Sequence, residues 1–573
     1  MPIEFTIPKS TGTYADTLNC VGRAALLVEL GFSKVSIRDA GSQFELKTSD
    51  IGFPEILHTP SAGYPYIWVR SKEAKPLNLS VVIDYEGERD KRDAYRAWQE
   101  SSKKIRGKVK SALDAQGLQE PEPPYRRFTL TAILASMRKG WVGDLDLAKW
   151  ISEHPDECLK WVKNQLKISD DLPSKVPEIS NSQILNPVSG KGIHAAKTEA
   201  KSAGSLPRQL IDPFDEWMKI RGLWESMLAF RNKDDFKLYV MEPNEIGIAE
   251  LNRLREELDR YNLWGGIKLD IEATLRCAQI LIKHSEIYAS GRSQYTFLRN
   301  KSPRDVVSGL RLAYFMSLGT AAALMNDSFL PLPAWFRIGN KEDATAYMRI
   351  IDEAIGERTE GARTAGCLSS LNENNSDDGA ILQQFRDWLL TGDLWQLLNF
   401  HARFALHVMH RLGAKEWVRP FSTDNLNLLL TKGFDMSFST SEIVNNPGFL
   451  SVARAVRNST IYAASPNGRR EIRFGLAQKW KQKLKSGKAD LISAIAEFVQ
   501  DYNWESINKL GGKAHVVKKE DLDDVFGMID RHGPDLMGSL LLAYGYSRAP
   551  KVAIGEEAAA EKNLEGPQEG VEN

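Results

Sequence analysis

The chain has 573 residues, 42% hydrophobic and 26% charged, which is enough apolar material for roughly three or four domains with buried cores. Lysines plus arginines equal aspartates plus glutamates, so the net charge is zero, and the molecule as a whole has no bias towards polyanions. Met1–Thr11 is polar and lacks the layout of a signal peptide. The longest uncharged stretch, Leu312–Asn326, falls short of the roughly 20 residues that span a bilayer and reads as a buried helix. Cys20, Cys158, Cys277 and Cys367 lie far apart with no CxxC pair, a pattern of reduced thiols in a cytoplasm.

In chain order, Thr13–Leu30 carries Leu18, Val21, Ala25 and Val28 at helical spacing. Lys34–Arg38 and Gln43–Lys47 read as strands joined by an Asp39-Ala40-Gly41 turn. Tyr66–Arg70 and Ser80–Tyr85 read as further strands. A charged helix then runs from Glu86 to about Leu113, ended by Pro121, Pro123 and Pro124. Residues 1–120 are therefore expected to form an α/β domain.

Residues 121–435 read as mainly helical. Amphipathic spacing marks Asp144–Trp161, Asp215–Phe230, Glu245–Tyr261, Asp270–Tyr288 and Asp305–Met325. Residues 169–210 form an expected flexible loop, and Ser369–Gly379 an expected solvated turn. Residues 436–550 read as a C-terminal helical bundle. Its stripes are Val452/Val456/Tyr462, Leu476/Trp480/Leu484, Leu491/Ile495/Phe498 with Asp490 as N-cap, and Leu522/Val525/Phe526/Ile529. A last helix starts at Pro534. The tail, 551–573, is acidic and poor in apolar residues, which predicts disorder. The fold class is thus α+β, mostly helical.

Common catalytic signatures are missing from the sequence. Ser189-Gly190-Lys191-Gly192 is half a phosphate loop, but Leu185 stands where the first glycine belongs. No adjacent His-Asp pair or paired-aspartate turn suits metal-dependent phosphoester chemistry. His401, His407 and His410 lack an acidic neighbour in sequence and read as packed or surface histidines. The loop around Asn375 fails the calcium pattern, because Asp377 sits where glycine is required. The competing enzyme reading, a divergent nuclease, would need a carboxylate cluster assembled only by folding. A scaffold without nucleic-acid contact is the second rival.

Positive charge is nevertheless concentrated locally. The densest run holds Arg454, Arg457, Arg469, Arg470, Arg473, Lys479, Lys481, Lys483 and Lys485, opposed within it only by Glu471. On one helical flank these would follow a phosphate backbone, with Tyr462 and Tyr502 as either stacking faces or core. A second group, Lys103, Lys104, Arg106, Lys108 and Lys110, alternates around a helix. A third follows Asn186-Pro187-Val188-Ser189-Gly190, with Lys191, Lys197, Lys201 and Arg208. Small residues there permit close backbone approach to DNA. Trp388, Trp395 and Trp480 fall on apolar faces and read as core.

Four stretches resemble the large subunits of type I CRISPR Cascade complexes, the Cas-eight family. They are Tyr14-Ala15-Asp16-Thr17-Leu18 with the Val35–Lys47 hairpin, Gln183-Ile184-Leu185-Asn186-Pro187 leading into Gly190-Lys191-Gly192, the segment Gly309–Trp335, and Ala453–Thr460 with Leu540–Tyr546. The resemblance implies an irregular α/β N-terminal domain and a terminal bundle like a Cascade small subunit. It implies a non-catalytic, cofactor-free role in antiviral defence: inspecting the protospacer-adjacent motif in double-stranded DNA, helping open the duplex, and stabilising the displaced strand of the R-loop. Implied partners are guide RNA-containing Cascade subunits, target DNA, and a helicase-nuclease effector or transposition proteins, with no membrane. Within that frame Arg454, Arg457, Arg469, Arg470, Arg473, Lys479 and Lys483 are expected on the displaced strand. Asn186, Lys191, Lys197, Lys104 and Arg106 are expected near duplex DNA. Met436 stands where some family members restart translation to make the bundle separately.

Overall fold

Thr13 starts the first helix of the chain. Its hydroxyl accepts from the Ala15 amide, and helix α1 runs Tyr14–Glu29. One turn in, Asp16 accepts the backbone amides of Thr11 at 3.1 Å and Gly12 at 2.7 Å, which closes the loop leading in from strand β1 (Glu4–Pro8). The expected hairpin forms: β2 (Ser36–Asp39) pairs antiparallel with β3 (Gln43–Lys47), and Gly41 takes the left-handed φ of +85° that the turn requires.

The computed structural model describes residues 3–549 apart from 73, 77, 107–119, 137–142, 178, 180–181, 183, 188–211, 233–234, 262, 264, 289–297, 318–321, 360–361, 434–438, 465–467 and 511–513. The fold is α+β and mostly helical. It divides into two compact units, Met1–Trp264 with Asp305–Leu330, and Gly265–Arg304 with Pro331–Asn573.

In the first unit, β4 (Tyr66–Trp68) and β5 (Val82–Asp84) pair in parallel, and α2 spans Tyr85–Arg106. Helices α3 (Phe128–Ser136), α4 (Gly143–Glu153) and α5 (Pro155–Gln165) follow. The amphipathic run expected over Asp144–Trp161 is broken at Pro155, which opens α5. Helix α6 (Pro213–Ser226), capped by Asp212, packs along α1 with glycines at the crossing. A Cβ on Gly22 would lie 1.9 Å from the Met218 carbonyl oxygen, and one on Gly222 1.9 Å from that of Leu18. The helical run expected to Phe230 stops at Ser226, and the chain continues as β6 (Met227–Asn232). Strands β7 (Asp235–Pro243) and β8 (Glu245–Gly247) precede α7 (Ile248–Asp259).

Two corrections follow from the sheets. Asp305–Met325 is not a helix: β9 (Val307–Ser317) and β10 (Ala322–Pro331) complete a sheet of order β10-β9-β7-β6. Between Val306 and Met325 only Arg311 is charged, and a run with so few polar positions carries little period to separate a strand from a helix. Long-range pairing decides, from Phe236 opposite Phe315 to Met241 opposite Leu310. Nor do residues 1–120 stand alone. Their sheet, ordered β1-β3-β2-β8, takes its last strand from residues 245–247, and α1 shares its core with α6.

The second unit contains α8 (Ile267–Lys283), α9 (Lys341–Ile355), the short pair β11 (Arg358–Thr359) and β12 (Ala362–Arg363), α10 (Ser376–Thr391) and α11 (Leu394–Gly413). Then come α12 (Thr423–Lys432), α13 (Ser439–Asn445), α14 (Pro447–Ser459), α15 (Leu476–Ser486), α16 (Lys488–Asn508), α17 (Lys519–His532) and α18 (Pro534–Gly545). Gly487, at φ +117°, holds the N-cap position of α16, and Asp490 lies in the first turn instead of at the cap. The terminal bundle is present but not separate. Helix α11 packs on α15 and α18, and Arg548 bonds Glu353 at 2.8 Å while its main chain pairs with Phe421 and Thr423. The expected boundaries at 120 and 435 therefore fall inside shared cores. Met436 and the tail 551–573 lie outside the described residues.

Candidate nucleic-acid interface

The basic run of the terminal bundle is divided among three roles by the way α14, α15 and α16 pack. Arg457 faces inward, only 5% exposed. Its Nε donates to the Ser547 carbonyl at 2.7 Å, and its Nη2 to Tyr544 O at 3.1 Å and Thr423 Oγ1 at 3.2 Å. These acceptors include the carbonyls left over at the end of α18, so Arg457 closes that helix and does not reach a displaced strand. Arg470 is also buried; Nη1 donates to Ser506 Oγ at 3.0 Å, and the guanidinium lies 4.3 Å from the centre of the Tyr502 ring. Both are corrections to the expected interface. Tyr502 and Tyr462 are core residues, the first bonded to Asn458 and the second to the Ala549 amide.

A second set is neutralised at the surface. Arg473 lies 3.4 Å from Asp501 and 3.9 Å from Glu505. Lys479 meets Glu497 at 2.8 Å and Lys483 meets Asp490 at 3.3 Å, both pairs joining α15 to α16. The Lys479 ammonium, by hydrogen bond first, holds the Glu497 carboxyl below its usual range. These acids come from the polar face of α16, opposite its apolar stripe. Arg454 is half-buried, and Arg469 is exposed.

Among the described residues, besides the exposed Arg469, the cations left over are Lys481 and Lys485 on α15, joined by Arg403 from α11. Among the described residues none of the three has an acidic partner within 4.0 Å. Burial pulls the Lys481 pKa down, and the Arg403 and Lys485 charges pull it further, so both lie within electrostatic reach of Lys481. Arg403 is exposed between buried Ala402 and Phe404. It stands outside every basic run of the sequence. Like charges gathered without a counter-ion are unfavourable until an anion arrives, and a phosphate backbone supplies several.

The duplex-side residues divide differently. Asn186 is buried, with Nδ2 donating to Glu216 at 2.9 Å and Oδ1 accepting from Lys219 Nζ at 2.7 Å. It belongs to a core network beneath α1 and α6 and is corrected accordingly. Lys191 and Lys197 lie outside the described residues. So do the side chains of Lys104 and Arg106, although the backbone of both belongs to α2.

The histidines of α11 also resolve. His401 is buried against Phe400 and Phe421, and burial pushes its pKa down to about 3. His407 places Nδ1 3.0 Å from Asp378 Oδ1 and Nε2 3.1 Å from Ser370 Oγ. That order of groups is the one used for serine nucleophiles, but here the hydroxyl has no approach: Ser370 is 8% exposed and His407 9%. Burial, opposed by Asp378, keeps His407 below its ordinary pKa and neutral, so the array joins the start of α10 to α11. The turn itself stays solvated, with Asn372, Asn374, Asn375 and Asp377 exposed, while Ser370 and Leu371 at its start are buried. Asn375 caps α10, and Glu373 accepts the Gly266 amide ahead of α8 at 2.8 Å. Among the described residues no group of three or more His, Cys, Asp or Glu side chains is placed to hold a metal ion. Cys20, Cys158, Cys277 and Cys367 are all free and buried; burial pushes the Cys158 thiol up to about 12. No described helix is long and apolar enough to cross a membrane.

No family model matches the chain, and no curated protein matches it.

Proposed function

We propose that this protein is a non-catalytic, DNA-engaging large subunit of a type I CRISPR surveillance complex, working in the cytoplasm. The observation that carries the binding part of this reading is the uncompensated cationic patch of Arg403, Lys481 and Lys485. A neutral chain that leaves three cations together while pairing their neighbours has surface suited to a polyanion. The four resembling stretches support the family part, and the buried, closed Ser370–His407–Asp378 array favours binding over nucleophilic chemistry. In this role guide RNA pairing reads the target, and the chain inspects the adjacent motif and holds the opened duplex.

Reconstitution tests the assignment. Added to a guide RNA-containing backbone complex, the full chain is expected to co-migrate with it and to confer binding to target duplex only when the adjacent motif is intact. Failure to join the complex, or magnesium-dependent cleavage by the purified chain alone, contradicts the proposal.

A further inference from the structure

A second concentration of positive charge lies in the first unit, in a cleft of about 250 Å³ between α2, the start of α3, β6 and the end of α7. It is lined by Arg96, Arg126, Arg127, Arg231 and a single carboxylate, Asp259. Two of the arginines are fixed by the scaffold. Arg127 donates from Nη1 to the Trp224 carbonyl at 2.5 Å and from Nη2 to Met227 O at 2.6 Å, at the end of α6. Its guanidinium also lies over the Trp224 ring, 4.9 Å from the centroid. Arg126 donates to the Glu256 carbonyl in the last turn of α7 and sits 3.8 Å from Asp259. Positive groups at helix C-termini are favourable, which accounts for their placement. It does not account for the other two.

Arg96 on α2 and Arg231 on β6 are exposed, and among the described residues neither has an ion pair or a side-chain hydrogen bond. Four guanidinium groups thus line one small space with one carboxylate among them. Burial raises the Asp259 pKa against the pull of Arg127, Arg126 and Arg255. Burial is also the main reason that the Arg127 pKa falls to about 9, with Arg255 adding to the effect; it stays charged at neutral pH. The surplus of three positive charges calls for a multiply charged, compact anion. The volume lies below the roughly 300–1,000 Å³ of clefts that enclose larger organic ligands. Planar guanidinium forks match tetrahedral oxyanions by paired N–H···O bonds.

We propose that this cleft binds a phosphate group, with Arg126 and Arg127 as its fixed floor and Arg96 and Arg231 closing on the anion from the rim. The proposal is independent of the Arg403–Lys481–Lys485 patch.

Calorimetric titration of the full chain with inorganic phosphate, at constant ionic strength, tests it. Saturable binding is expected, and R96Q/R231Q is expected to weaken it at least about tenfold, since each fork supplies charge-assisted bonds. Both residues are exposed and unpaired, so an unchanged melting temperature without phosphate confirms that the variant folds. R403Q/K481Q is expected to keep wild-type phosphate affinity, which separates this proposal from the DNA-binding one. Short single strands with and without a 5′-phosphate then identify the source. Competition by the phosphorylated strand alone points to a terminal phosphate, competition by both to the backbone, and competition by neither to free phosphate. No saturable binding by the wild type, or equal affinity in R96Q/R231Q, overturns the proposal.

Discussion

Arg457 and Lys481 are chemically similar residues on neighbouring helices, yet packing gives them opposite roles. Arg457→Met removes donors from the Tyr544 and Ser547 carbonyls at the end of α18. It is expected to cost about 2–4 kcal/mol, because buried acceptors are left unsatisfied, and denaturant unfolding would record it as a lower midpoint. Any loss of DNA binding in that variant should track lost fold; full stability would contradict the structural role. Spacing alone put Arg454 and Arg457 on one helix flank, but it carries no information about which flank the other helices cover. The acids that neutralise Lys479 and Lys483 lie on the following helix, close in sequence but invisible to a reading of charge along one segment. Titration follows the same logic. His401 is buried and His515 half-buried, with pKa values lowered to about 3 and about 4, chiefly by desolvation. As pH falls below about 6.5 the unfolded chain takes up these protons and the folded chain does not, so stability declines towards pH 4. His401→Leu is expected to flatten that decline between pH 6.5 and 4, measured by melting temperature; an unchanged slope would contradict it.

Helical elements were legible wherever one face is apolar and a cap is at hand. Thr13 before α1, Pro534 in the first turn of α18, and the Asp39-Ala40-Gly41 turn all behave as their local chemistry dictates. The sheet β10-β9-β7-β6 was not legible. β7 is buried at nearly every position and β9 at irregular intervals, so neither alternates cleanly, and only pairing across the chain reveals them. The α1–α6 crossing depends on elements far apart in sequence, and its glycines are explicable only once the helices meet. Gly222→Ala would drive a Cβ into the Leu18 carbonyl and is expected to cost about 3 kcal/mol. Gly527 in α17 has nothing within 4 Å of an added Cβ. Gly527→Ala should therefore stabilise by roughly 0.5–1 kcal/mol through helix propensity. Equal effects of the two substitutions in thermal unfolding would contradict the close-packing account.

Zero net charge describes the whole molecule correctly and conceals how the charge is spent. Within the basic run of the terminal bundle, Arg457 closes a helix end, Arg473, Lys479 and Lys483 meet carboxylates of α16, and Lys481 and Lys485 are among those that remain for an outside anion. Composition established neutrality, and sequence position located the basic run, but only three-dimensional pairing separates Arg457 and Arg470 from Lys481, Lys485 and Arg403. The most direct measurement is the salt dependence of DNA affinity for the purified chain and for R403Q/K481Q/K485Q. Each lost phosphate contact should flatten the slope of log affinity against log salt by about 0.7–0.9, so the triple variant should flatten it by about 2–3 and bind more weakly on every sequence tested. Wild-type affinity and slope in that variant would contradict the central claim.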